Sequence, residues 1–486
     1  MSAAYEVVIG LEVHVELKTA TKLFCGCANA FGQEPNTETC PVCLGMPGVL
    51  PVLNGEAVSL AARAALALHC EIHSYSKFDR KQYFYPDLPK AYQISQYDQP
   101  LAENGYVEIG FGEGKRKIGI ERIHLEEDAG KLNHIGNRLG DATGSLVDLN
   151  RAGVPLIEIV SRPQMHSPEE ARQYLTELKT ILSYLDISDL RMEEGSMRCD
   201  ANISLKPSDY TGSLFDLPRV EIKNVNSFRN VQRGIEYEIG RQKERLAQGL
   251  AIVRETRGFD DASGTTYSQR SKEEANDYRY FPEPDLPPLV LSEEWLAKQQ
   301  HMMPELPDSL RAGLLQRGVA ERDVQVLVQD PDLYRYWQQA VAEFSDVRQV
   351  TNWILSDYSR LMNAHSLSFA APTVTAKALA SLLRLIESGT LSGKMAKEVL
   401  EAMFESGETP QAVVKRLGLI QITDQDAIRD IVSSVVMANP AVVKDFLGGK
   451  DKALAFLVGQ VMKQTKGQAK PDLVNDLLRE VIATYA

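Results

Sequence analysis

Between Glu6 and Leu17 apolar and polar residues alternate. Val7, Ile9, Leu11, Val13, Val15 and Leu17 fall on one side, and Glu12, His14 and Glu16 on the other. That period of two predicts a strand buried on one face. The alternation returns where Met197, Cys199, Ala201, Ile203 and Leu205 interleave with Ser196, Arg198, Asp200, Asn202 and Ser204. It returns again where Val220 and Ile222 interleave with Arg219, Glu221 and Lys223. Glu255 to Gln269 predicts two strands about an Asp-Ala-Ser-Gly turn at 261 to 264. Between the strands lie three helices. An alanine-rich one is expected from Asn54 to Cys70. A second opens on Ser167-Pro168-Glu169-Glu170, an N-cap, a first-position proline and a capping-box glutamate, and runs towards Leu185. The third runs from about Ser227 towards a stop at Gly249. Strict βαβ alternation is missing, so the fold class expected is α+β with an antiparallel sheet.

Pro282, Pro284, Pro287 and Pro288 close this region. Past Glu293 the sequence reads as helical, with caps at Thr375 and Thr409-Pro410 and stops at Gly389 and Gly407. Three domains are expected: an α+β body over 1–292, an all-α domain over 293–407, and a small all-α tail over 408–486.

Composition narrows the class. A hydrophobic fraction of 44% and a charged fraction of 24% are those of a globular chain. No segment offers the roughly 18 consecutive apolar residues of a membrane span, and Met1 to Leu17 has no signal-peptide pattern. A cytoplasmic protein without membrane contact is expected. The net charge of -13 opposes nonspecific binding to a polyanion, so any nucleic-acid contact must be local or come from a partner.

The acids carry the most information. Glu12 shares a strand face with His14, and Asp200 and Glu221 lie on the polar sides of their alternations. Glu126 and Glu127 end a strand-like run, and Glu158 interrupts the apolar Val154-Pro-Leu-Ile-Glu-Ile-Val. An acid among apolar neighbours is costly unless a cation or hydrogen bonds neutralise it. If these strands share a sheet, the acids converge into an oxygen-rich cage with one imidazole, suited to Mg²⁺ bridging nucleotide phosphates. Taken singly, each acid reads equally as a solvent-facing residue of a half-exposed strand. Cys25 and Cys27, then Cys40 and Cys43, approach the spacing of a zinc ribbon. Four thiolates would close a structural Zn²⁺ site; unliganded buried thiols are the other reading.

Lys77 to Pro100 interleaves Phe78, Tyr83, Phe84, Tyr85, Tyr92 and Tyr97 with Arg80, Lys81 and Lys90. Such a loop can stack the bases of a single-stranded end, or Lys81 or Arg80 could steady a transferred phosphoryl group. A packed aromatic satellite core accounts for it as well. In the tail, Lys450, Lys452, Lys463, Lys466 and Lys470 flank an apolar helix with Asp451 the sole acid nearby. They form the best nucleic-acid-backbone patch in an acidic chain, or else a solvated helical face.

Several long motifs resemble one family. They are Gly10-Leu-Glu-Val-His-Val-Glu-Leu, Lys77-Phe-Asp-Arg-Lys-Gln-Tyr-Phe-Tyr-Pro-Asp, His124-Leu-Glu-Glu-Asp-Ala-Gly-Lys, Val147-Asp-Leu-Asn-Arg and Pro155-Leu-Ile-Glu-Ile-Val. Met192-Glu-Glu-Gly-Ser-Met-Arg-Cys-Asp-Ala-Asn, Asp277-Tyr-Arg-Tyr-Phe-Pro-Glu-Pro-Asp, Phe456-Leu-Val-Gly-Gln-Val-Met-Lys and Lys466-Gly-Gln-Ala continue the match. Together they resemble the B subunits of tRNA-dependent amidotransferases. The resemblance implies a cradle domain similar to glutamine synthetase and guanidino kinases. It implies ATP-dependent phosphorylation of the side-chain carboxylate of Glu-tRNA(Gln) or Asp-tRNA(Asn), then amidation. Ammonia would come from an amidase-type A subunit, with a small C subunit completing a heterotrimer. By motif position the metal ligands would be Glu12, His14, Glu127 (with Glu126 as its alternative), Glu158, Asp200 and Glu221. Lys81 would fall in the catalytic loop, and the tail would contact the tRNA body. Zinc cysteines vary in that family, so the cysteine site is expected to be structural.

Overall fold

The computed structural model describes residues 5–110, 114–135, 144–271, 278–419, 425–465 and 468–484. It divides into two compact units, Met1–Ser309 and Leu310–Ala486.

The first unit is a mixed α/β structure built on a nine-stranded sheet. Tyr5–Glu16 is the middle strand, flanked antiparallel by Met197–Pro207 on one side and Pro155–Ser161 on the other. Beyond Pro155–Ser161 come Arg116–Glu127, Ala102–Ile109 and Glu71–Ile72. Beyond Met197–Pro207 come Val220–Lys223, Glu255–Asp260 and Thr265–Ser271. The sheet departs from the all-antiparallel expectation at one pair. Val220–Lys223 and Glu255–Asp260 run parallel, joined through the Phe228–Ala247 helix. Parallel neighbours cannot be joined by a tight turn and need such a crossover.

One face of the sheet is dry. Val13, Val15, Ile157, Ile159, Cys199, Ala201 and Ile203 pack there with the helices Gly55–Ala67, Pro168–Tyr184 and Phe228–Ala247. Each helix starts where its cap predicts: the side chains of Asn54, Ser167 and Ser227 accept from first-turn backbone amides. Burying the apolar face fixes the register, because a slip of one residue would turn every acid into the core. The polar residues of the same strands therefore share the opposite face.

The Glu293–His301 helix belongs to the first unit, because Trp295 and Leu296 pack against its core. The unit boundary at Ser309 accordingly falls later than the break at Glu293 read from composition. The described residues of the second unit are helical. Trp337 and Tyr358 are fully buried in its first half, and the helices from Gln425 to Thr484 close an apolar cluster that includes Val432, Leu457 and Leu478. Among the described residues, no helix is long and apolar enough to cross a membrane.

Candidate active site

The middle strand supplies two neighbouring acid groups, because residues two apart on a strand point the same way. His14 stands in register with Glu158 on one side and Arg198 on the other, and Glu158 stands in register with His124. Glu126, two residues beyond His124, shares its face. The four side chains meet. His124 Nε2 lies 3.1 Å from Glu158 Oε2 and 3.6 Å from Glu126 Oε2. His14 Nε2 lies 3.7 Å from Glu126 Oε1 and 3.9 Å from Glu158 Oε2. His14, Glu126 and Glu158 each offer an atom within 4.8 Å of the others, the spacing of ligands about one cation.

Burial here is severe: His124 and Glu126 are each 2% exposed and Glu158 8%. Burial alone would raise Glu158, but His124, His14 and Lys81 outweigh it and hold its carboxyl well below the usual range. Glu126 is likewise opposed by burial and drawn down to about 2 by His124 and Lys81. Burial works against the charged imidazole of His124, yet Glu158 and Glu126 raise it above its ordinary value. The half-buried Lys81 is raised in the same way, with Glu126 and Glu158 overcoming its desolvation.

The second group lies one step along the strand. Glu12 pairs in register with Asp200, and Glu221 with Asn202. Glu12, Asp200 and Glu221 each offer an oxygen within 4.8 Å of the others. Asn202 Nδ2 donates to Glu12 Oε1 at 2.9 Å, and Thr256 Oγ1 to Glu221 Oε2 at 2.9 Å, which fixes both carboxylates. The Lys223 ammonium bonds Asp200 and lies 3.6 Å from Glu221 Oε1. Desolvation opposes its charge, but Asp200 and Glu221 prevail and raise it. An ammonium thus sits where a metal ion would draw the same oxygens.

The single cage expected from the sequence is therefore two groups of three. Glu127 belongs to neither. As the strand neighbour of Glu126 it points to the other side, where Lys90 pairs with it and the Ile94 amide donates to it at 2.9 Å. The motif puts Glu127 first and Glu126 as its alternative; the geometry reverses that order, because Glu126 and not Glu127 shares the face of His14 and Glu158. His124, Lys223, Asn202 and Thr256 were missed as site residues. His124 and Lys223 carried a readable signal, each two positions from an acid on its own strand.

Both groups border a cleft of about 1030 Å³, to which His14, Glu126, Lys81, Asp200 and Lys223 contribute. Asp128 anchors the Arg151 and Arg198 guanidinium groups there at 3.0 and 2.8 Å. Lys81 enters from the Asp79–Gln82 strand, which pairs antiparallel with Tyr92–Ser95 and with Phe281–Pro282. The aromatic segment is thus pinned by two short strands, while Tyr83, Phe84, Tyr85 and Tyr97 stand in the loops that connect and follow them.

The four cysteines also converge. Sγ atoms of Cys25, Cys27, Cys40 and Cys43 lie within 4.8 Å of one another, and the Cys40–Cys43 separation is 3.9 Å. A tetrahedron with Zn–S bonds of about 2.3 Å has edges near ~3.8 Å, which the Cys40–Cys43 separation matches. The Cys25 thiol bonds Cys43, and the nearby Lys22 ammonium adds to that effect, drawing Cys43 down to about 4. Burial instead pushes Cys27 up to about 11. Lys22 is fully buried, 3.7 Å from Cys43 Sγ and 2.7 Å from the Glu38 carbonyl. Composition gave no hint of its role.

In the second unit Lys450, Lys452, Lys463 and Lys470 are exposed, and Lys450 pairs with Asp445 at 2.9 Å. They cluster at opposite ends of the Asp451–Gln464 helix, so Lys452 and Lys463 stand about 16 Å apart along its axis. Lys466 lies outside the described residues.

Comparison with known proteins agrees over nearly the whole length. Residues 7–297 match the GatB/GatE catalytic domain and residues 335–482 the GatB domain. The B subunit of the aspartyl/glutamyl-tRNA(Asn/Gln) amidotransferase of Carboxydothermus hydrogenoformans is 53% identical over 480 residues, covering 99% of both chains. The protein of the same name from Thermoanaerobacter sp. strain X514 is 51% identical, again over 99% of both. That of Brevibacillus brevis is 51% identical over 98% of this chain and 99% of its own. An acid-lined sheet face, a four-cysteine cluster and similarity along almost all of the sequence lead to one assignment: this chain belongs to the GatB family, the B subunits of tRNA amidotransferases.

Proposed function

We propose that this chain uses ATP to phosphorylate the side-chain carboxylate of Glu-tRNA(Gln), Asp-tRNA(Asn) or both. Ammonia then displaces phosphate to leave Gln-tRNA(Gln) or Asn-tRNA(Asn). The carrying observation is the pair of acid groups, one of His14, Glu126 and Glu158 and the other of Glu12, Asp200 and Glu221, on one sheet face beside Lys81 and Lys223. The relatives' shared name supplies the substrates.

Carboxylate oxygens suit a hard cation, and each group has the spacing to hold Mg²⁺. Magnesium, when bound, would neutralise phosphate charge and orient the nucleotide for in-line transfer. The protein's own part is positional and electrostatic. His124 holds Glu158 and Glu126 in place, Asn202 and Thr256 hold Glu12 and Glu221, and Lys81 offers a positive charge to the transferred group. In this reading 1–292 is the catalytic cradle, similar in fold to glutamine synthetase and guanidino kinases. The helical domain of 293–407 joins it to an all-α tail, 408–486, whose lysines meet the tRNA. An amidase-type A subunit and a small C subunit complete a cytoplasmic heterotrimer.

The direct test supplies neither ammonia nor an amide from which the A subunit could release it. Incubated with ATP and Mg²⁺, the assembled complex should release ADP only when misacylated tRNA is present. ADP release indifferent to the aminoacyl group, or none at all, would sink the proposal.

Zinc is the metal we assign to the cysteines, in a structural role. A Zn²⁺ with four thiolates carries two net negative charges, and the buried Lys22 is placed to offset part of them. Lys22→Met is expected to weaken zinc retention by about 10- to 100-fold, read as faster loss to a chromogenic chelator. Unaltered retention would leave Lys22 with a packing role alone.

A further inference from the structure

Beside the first acid group the aromatic rings form a graded series. Tyr83 meets Tyr278 edge-on with centroids 6.2 Å apart, and Tyr278 meets Tyr280 edge-on at 6.0 Å. Tyr280 lies flat against Tyr97, at 4.1 Å and within 5° of parallel. Tyr97 remains 39% exposed. The series also touches the chemistry. Lys81 Nζ lies 5.2 Å from the Tyr278 ring, and Tyr280 sits within the electrostatic field of Lys81, Glu126 and Glu158. A packed satellite core would bury its outermost ring; this one ends on an exposed aromatic face.

The backbone adds an independent sign. Arg279, between the two tyrosines, adopts φ 45°, a left-handed conformation that a long side chain rarely takes, and the Gln82 side chain bonds its carbonyl at 2.9 Å. Strain of this kind persists where surrounding structure enforces it, and it gathers at ligand clamps. The turn sets the Arg279 guanidinium 6.0 Å from the ring of Phe84, which is 73% exposed.

We propose that the Tyr97–Tyr280 stack receives the 3′-terminal adenine of the aminoacyl-tRNA, with Arg279 placed for the adjoining phosphate. This rests on the tRNA substrate proposed above and adds the site that holds its end. The amino acid hangs from the ribose of that terminal nucleotide. Fixing the base beside Lys81, Glu126 and Glu158 therefore fixes where the side-chain carboxylate can reach. Stacking on a flat ring is indifferent to the sequence elsewhere in the tRNA, which suits a site that accepts more than one acceptor stem. The adenine of ATP is the competing occupant.

The test uses the full chain with its partner subunits and a tRNA ending in 2-aminopurine, whose fluorescence falls on stacking. Quenching should occur with the wild type, vanish with Tyr97→Ala and return with Tyr97→Trp. Tyr97→Ala should also raise KM for aminoacyl-tRNA about tenfold and leave KM for ATP unchanged. Equal quenching in Tyr97→Ala, or a rise in the KM for ATP instead, would overturn the assignment. If the wild-type complex failed to bind unmodified tRNA in a filter assay, the substrate reading itself would fall, and the shelf with it.

Discussion

Glu158→Gln is expected to slow tRNA-dependent ADP formation by about 10²-fold or more while leaving tRNA affinity unchanged. The amide keeps the shape of the side chain and removes its charge. Three consequences follow from the geometry. The first group loses an anionic ligand, the buried His124 loses the partner 3.1 Å away that sustains its charge, and Lys81 loses one of the acids that hold it. None of these removes a ring of the aromatic shelf or a residue of the second unit, and the loss of one charge near Tyr280 leaves the Tyr97–Tyr280 stack in place, so binding and chemistry should separate. Single-turnover ADP release beside filter binding of the same tRNA measures both. Turnover at the wild-type rate would mean that the acids on this face serve only the fold.

Lys81→Met should lower kcat by about 10²-fold with a much smaller change in KM for ATP. A divalent ion held among the acids would compensate their negative charge. In the proposed reaction the Lys81 ammonium would then be available to the charge that develops on a transferred phosphoryl group. Interactions made only in the transition state appear in kcat, whereas uniform binding appears in KM. A variant that raised KM for ATP and preserved kcat would recast Lys81 as a nucleotide anchor.

How much of this was legible beforehand depended on distance along the chain. The faces were local information: the alternation about Glu12 and His14, and that about Asp200 and Asn202, placed each acid on a polar side correctly. The choice between Glu126 and Glu127 was also local in principle, because His124 and Glu126 are two apart and Glu127 has the opposite parity. What no local pattern contains is register. That His14 stands opposite Glu158 and not opposite Val160 follows from strands separated by more than a hundred residues finding one alignment. For that reason the acids sorted into two groups where one had been expected. The parallel pair Val220–Lys223 and Glu255–Asp260 escaped for the same reason: strand direction is decided by the helix between them, not by either strand. Lys22 is a different case. A fully buried lysine is rare enough that sequence argues against it, and the Cys43 sulfur and the Glu38 and Leu149 carbonyls folded around it explain its place.

The position of the Tyr5–Glu16 strand has a consequence for biosynthesis. The strand is synthesised well before both its neighbours, Pro155–Ser161 and Met197–Pro207. Until then the backbone groups along its two edges have no native partner, and pairing over such separations is slow. The nascent chain is therefore most dependent on chaperone cover, and most prone to aggregate, in the interval between synthesis of Tyr5–Glu16 and synthesis of Met197–Pro207.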